Sequence, residues 1–154
     1  MSPMGQFYEE FEVCQRYETP SRAITAADID AFVTLTADVN PLHVDDAFAA
    51  EWGFGGRIAH GPMIVGIAFG LMSRIDFMDG TVLGLLDIGW SFKAAVRPGD
   101  TISVIVRVTG KRLTRKPDRG VVDVAIDVLN QHGTLVQAGT AKAMIRRKNP
   151  QDNA

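Results

Sequence analysis

The chain has 154 residues, 46% of them hydrophobic and 22% charged, with a formal net charge of -2. A chain of that length buries about two thirds of its unfolded surface without metals or crosslinks, so one domain is expected, with a core over about residues 10–147. The charge offers no global attraction to nucleic acid, no apolar run is long and charge-free enough to span a membrane, and the single cysteine, Cys14, forbids an intrachain disulfide.

The amino end carries Glu9, Glu10 and Glu12 and no basic stretch leading into an apolar core. No secretory leader is expected, and a cytoplasmic location is the expectation that follows. Phe11 to Tyr17 alternates like a strand, with Cys14 as a small strand residue rather than a reactive thiol. Thr25 and Asp28 have the spacing of a capping box, and Ile29, Phe32, Val33 and Thr36 then recur at helical spacing, which predicts a helix over Ala26 to Thr36. Asn40-Pro41 stops it, because the residue before a proline is pushed out of the helical region, so Asp38 to His43 is expected to be a tight connection. A short helix is predicted from Asp45, as cap, to Glu51, followed by a loop of Gly53, Gly55 and Gly56. Pro62 to Ser73 has no charge and hardly a polar residue, the pattern of a helix buried on all sides. Something must wrap around it. Ile102, Val104, Val106 and Val108 alternate with polar positions, as do Val122, Val124, Ile126 and Val128, and both read as half-buried strands. Further strands are predicted at Leu85 to Ala94 and Thr134 to Arg147, and a frayed tail at Asn149 to Ala154. The fold class is α+β, a curved antiparallel sheet packed around one hydrophobic helix.

Asp38-Val39-Asn40-Pro41-Leu42-His43 sets a carboxylate and an imidazole five positions apart across a proline turn, where both can point at one spot. Adding water across a carbon–carbon double bond needs a base for the water and an acid for the neighbouring carbon, and such a pair meets both needs. Asn40 orients the pair or only shapes the turn. A metal reading of His43, Asp45 and Asp46 is set aside, since no second histidine lies at ligand spacing and adjacent aspartates cap a helix well. Gly61 allows close approach of a ligand to the backbone, and its N–H lies at the positive end of the buried helix, a candidate oxyanion hole. A plain helix start at Gly61-Pro62 would read the same way. His60 is read as a packed residue fixing the loop beside the ligand. Lys111, Arg112, Arg115, Lys116 and Arg119 surround a loop, and they are solvated unless the substrate carries a phosphorylated handle.

Phe32 to Ala49, with Asp38-Val39-Asn40-Pro41-Leu42-His43 at its centre, resembles the signature of MaoC-like, (R)-specific enoyl-CoA hydratases. The similarity extends through His60-Gly61 and Trp90-Ser91-Phe92-Lys93 to Val96-Arg97-Pro98-Gly99-Asp100-Thr101, most of residues 20 to 147. The resemblance implies a hot-dog fold and homodimers with sites near the subunit interface. It implies that Asp38 and His43 hold the attacking water, with Asp38 as base, that one of the two returns a proton to the α carbon, and that Gly61 N–H polarises the thioester carbonyl. The substrate would be an enoyl thioester of CoA or acyl carrier protein, with no metal or redox cofactor. Two positions depart from the pattern: Ala37 stands where a glycine is usual, and Phe69 stands where some members carry a hydroxyl residue. A bulky Phe69 beside the acyl group suggests a short or branched chain. The rival readings are a hot-dog acyl-CoA thioesterase, which needs no Asp-x-Asn-Pro-x-His, and a non-catalytic acyl-CoA-binding module, which gives no reason for both Asp38 and His43.

Overall fold

The computed structural model describes residues 4–150, and the rest of the tail expected to fray lies outside them. Strands β1 (Arg16–Glu18) and β2 (Arg22–Ala23) lead into helices α1 (Ala26–Thr36), α2 (Pro41–Val44), α3 (Asp46–Glu51) and α4 (Gly61–Met72). Four long strands follow, β3 (Val82–Phe92), β4 (Thr101–Leu113), β5 (Arg119–Leu129) and β6 (Leu135–Arg146). All pairings are antiparallel and the order is β1-β4-β5-β6-β3, with β2 also on β4. This is the sheet wrapped around a helix that the hot-dog name describes.

Period-two burial accounts for the sheet. Val104, Val106 and Val108 on β4 and Val122, Val124, Ile126 and Val128 on β5 are buried toward Ile64, Ala68 and Leu71 of α4, while Arg107, Asp123 and Asp127 alternate with them. Each such aliphatic side chain stabilises the fold by about 1.5 to 3 kcal/mol when fully buried. The sheet covers only one side of α4. Pro62, Gly66 and Gly70, on the opposite stripe, are exposed, so burial on all sides does not hold within a single chain.

Helix α1 has the predicted bounds. The Thr25 side chain accepts from Asp28 N–H and the Asp28 carboxylate accepts from Thr25 N–H. The helix ends at Ala37, whose φ of 60° is left-handed. Helix α2 was not expected. Asn40 is extended, as a residue before proline must be, but its Oδ1 accepts from Leu42 N–H, and Pro41, suited to a first helical position, starts a new turn that carries His43. Cys14 also differs: it lies in a turn at φ 74° before β1, exposed, with its N–H on the Val108 carbonyl.

Candidate active site

The left-handed Ala37 turns the chain so that Asp38 leaves the end of α1 pointing away from it. A glycine would adopt that conformation freely, whereas an alanine has its Cβ near the carbonyl, at a cost of about 1 kcal/mol. That is the physical sense of the Ala37 departure. The Asp38 N–H donates to Thr36 Oγ1 (3.2 Å), and its carboxylate accepts from Asn40 N–H (3.3 Å). Asn40 thus both caps α2 and holds the carboxylate.

His43 is fixed by its Nδ1–H, which donates to the Ile58 carbonyl at 2.8 Å. A carbonyl only accepts, so the proton of the neutral ring sits on Nδ1 and the Nε2 lone pair is free for chemistry. Ile58 is itself held by its N–H on the Leu42 carbonyl (3.0 Å), so α2 and the loop before α4 bind each other twice. His60 has no exposed surface. Its ring stacks on His43 at 3.8 Å and packs against Phe32 at 4.7 Å. Its Nε2–H donates to the Asp38 backbone carbonyl at 3.0 Å. His60 therefore grips both halves of the pair from behind, one through the ring face and the other through the backbone.

One ligand atom from each of Asp38, His43 and His60 lies within 4.8 Å of the others. As a metal set the trio is poorly arranged. The two rings are 25° from parallel, so their in-plane lone pairs run side by side rather than converging at the roughly 2.1 Å a zinc ion requires. Asp45 and Asp46 are engaged elsewhere: Asp45 Oδ1 accepts from Phe48 N–H and caps α3, and Asp46 Oδ1 accepts from Arg57 N–H. What the arrangement suits is a water held between a carboxylate and an imidazole.

Gly61 begins α4, where the first amides have no partner within the helix and the dipole favours negative charge. Pro62 has no N–H, and His60 gives no side-chain cap. A Cβ at Gly61 would lie 2.7 Å from Phe92 Cε1, so a larger residue there would have to displace that exposed ring. His43, Gly61, Ile64, Phe92, Lys93 and Gln137 line one cleft of about 500 Å³. Gln137 is the site residue that the alternation of β6 did not single out; its signal was an amide within a run of small and apolar residues. Phe69 lies outside this cleft. It lines a second, apolar cavity of about 380 Å³ beside the carboxyl end of α4, with Met72, Phe77 and Leu83.

The basic group does not join this site within the chain. Gly61 packs on Phe92, which pairs with Gln137, whereas the β4–β5 hairpin lies at the other end of the strands, where Leu113 pairs with Gly120 and Gly120 with Ile145. Lys111 Nζ donates to the Tyr8 and Phe11 carbonyls, and Arg119 pairs with Asp118.

Comparison with known proteins gives the family. The family described as MaoC like domain matches residues 10–129. The (R)-specific enoyl-CoA hydratase of Aeromonas caviae is 33% identical over 121 residues, 79% of this chain and 86% of that protein. Protein MaoC of Klebsiella aerogenes is 36% identical over 127 residues, 80% of this chain, which spans only 36% of that longer protein. Among solved structures, a MaoC-like dehydratase from Rhodospirillum rubrum superposes with a TM-score of 0.82 at 31% identity, covering 94% of this chain and 99% of that one. The match over residues 10–129 takes in α1, α2, the start of α4 and the strands β3 to β5, and the chain belongs to the MaoC-like domain family.

Proposed function

We propose that this chain is a hydro-lyase that adds water across the double bond of a trans-2-enoyl thioester to give the (R)-3-hydroxyacyl thioester, and catalyses the reverse dehydration. The observation that carries the reading is the pairing of Asp38 and His43, whose ligand atoms lie within 4.8 Å of each other, with His43 opening into the same cleft as Gly61. Asp38 takes a proton from a water held between it and His43 Nε2, and the water oxygen attacks the β carbon. Electron density moves to the thioester oxygen, where Gly61 N–H and the helix dipole stabilise the enolate, and a proton from the pair is delivered to the α carbon. An amide donor of this kind is worth about 3 to 4 kcal/mol in the transition state. Only protons and water move. His60 serves by packing rather than by touching the substrate, and Asn40 by holding the turn.

The acyl group is short. Trp90 donates its indole N–H to Gln137 on the cleft side and packs against Phe69, centroids 6.2 Å apart, on the side of the second cavity. The two cavities share no lining residue, and Trp90, which touches Gln137 of one and Phe69 of the other, is read as the partition between them. One experiment tests both claims, a ladder of enoyl-CoA chain lengths followed by loss of the conjugated enoyl absorbance with free thiol measured in parallel. Absorbance should fall without thiol release, fastest for four-carbon chains, and Phe69→Ala should shift the preference toward longer chains by about tenfold. Thiol release at the rate of bleaching would indicate a thioesterase, and a wild-type preference for long chains would rule out the partition.

A second copy completes the molecule. Strand β3 is an edge with unpaired backbone groups, and Val82, Leu83, Leu85, Leu86, Ile88 and Phe92 on it are 43 to 57% exposed, an unfavourable surface for a lone chain. Since Phe92 covers Gly61, a homodimer through β3 brings the partner close to the site. Sedimentation at twice the chain mass is the expected result, and a monomer at micromolar concentration would refute it. The reading also places the protein in the cytoplasm and in fatty acid metabolism, with CoA or acyl carrier protein as the carrier.

A further inference from the structure

The Gln137 side chain is 2% exposed and lies on β6 opposite Phe92. Its Oε1 accepts from Trp90 Nε1 at 2.9 Å, and its Nε2 donates to the Gly61 carbonyl at 3.3 Å. The indole N–H is a donor only and a carbonyl an acceptor only, so the amide has a single orientation that satisfies both. Trp90 is fixed in turn, wedged over Gly139, where a Cβ would come within 2.0 Å of its Cε3.

Gly61 needs such a hold. A glycine has the widest choice of backbone angles, so the chain itself only weakly fixes the angle between the peptides on either side of Gly61. The peptide that bears the Gly61 N–H is His60–Gly61, whose carbonyl accepts from Met63 and Ile64 N–H and whose His60 ring is stacked and hydrogen-bonded. The next peptide, Gly61–Pro62, is held at its carbonyl by Gln137, and the two planes are joined only through the φ and ψ of Gly61.

We propose that Gln137 is a positioning residue, locked by Trp90, that holds the Gly61–Pro62 peptide and so restricts rotation about the glycine, keeping the N–H of the preceding peptide aimed at the developing oxyanion. This inference rests on the hydratase reading above. Gln137→Glu, when ionised, keeps an acceptor for Trp90 and removes the donor to Gly61 but adds a charge beside the site, so the uncharged variants are read beside it. Gln137→Leu removes both bonds, and Trp90→Phe frees Gln137 while keeping a ring. The measurements are kcat and KM for the preferred enoyl-CoA and the backbone amide resonance of Gly61 in the substrate-free protein. Gln137→Glu should lower kcat about a hundredfold with KM within about threefold, as expected when a donor is misplaced rather than lost. Trp90→Phe should lower kcat less, in the same direction, and the Gly61 resonance should move in both. An unchanged kcat in folded Gln137→Glu protein, a change in KM alone, or an unmoved Gly61 resonance would each overturn the proposal. If Gln137→Leu does not fold, the other two variants still decide. If the wild-type chain hydrates no enoyl thioester, the functional reading fails, and the Gly61 resonance still tests whether Gln137 sets that peptide.

Discussion

Asp38→Asn and His43→Ala should each lower the hydration rate by about a thousandfold, within the range for losing one acid or base group. The two losses should not multiply. Both residues act on one water, so the double variant is expected to be little worse than the poorer single one. Asp38→Asn is the cleaner change, because the amide oxygen still accepts from Asn40 N–H while the basic lone pair is gone. His43→Ala also removes the Ile58 bond and the stack on His60, so part of its effect is structural. A thermal melt beside the kinetics separates the two. Near-normal rates in both variants, with normal melts, would sink the assignment.

Gly139→Ala has the largest expected effect on stability. Its Cβ would lie 2.0 Å from Trp90 Cε3 and 2.4 Å from Cζ3, too close for any real contact. Trp90 cannot simply turn away, because it faces Gly139 directly across the β3–β6 pair and is tied to Gln137 and packed on Phe69. Overpacking of this kind costs about 3 kcal/mol, and at roughly 3 °C per kcal/mol for a chain this size the melting temperature should drop by about 9 °C. Gly66→Ala is the control. It lies inside α4 with nothing within 4 Å of a Cβ, so it should raise stability by up to about 1 kcal/mol through helix propensity. If both substitutions proved equally harmless, the wedge at Gly139 would be wrong.

The long strands and α1 were legible because their cause is local. Alternation fixes which face of β4 and β5 is buried, and the Thr25 and Asp28 pair sets the start of α1 by its own hydrogen bonds. Helix α2 was hidden for a related reason. Asn40-Pro41 carries a stop and a start in adjacent residues, and without the Asn40 cap in view only the stop is visible. Cys14 was misplaced because alternation runs on through Phe11 to Tyr17, whereas the turn there is set by the Val108 carbonyl, 94 positions away. The exposed stripe of α4 could not be foreseen from composition, since an uncharged helix looks alike whether a sheet covers one side or both. Within the site, Asp38, His43 and Gly61 were marked by chemistry and spacing. Gln137 was not, because its meaning lies in Trp90 and Gly61, which reach it only through strand register.

The stacked histidines have a consequence for how substrate is met. His60 is sealed inside the fold, joins the Asp38 backbone to the His43 ring, and is itself held by Phe32. Under the proposed mechanism, the loop that carries Asp38 and His43 is thus braced by contacts of its own, and little ordering entropy is expected to count against affinity when the thioester arrives. Capture should then be a single-step encounter whose observed rate climbs linearly with substrate concentration, without the plateau that a slow rearrangement of the protein would impose.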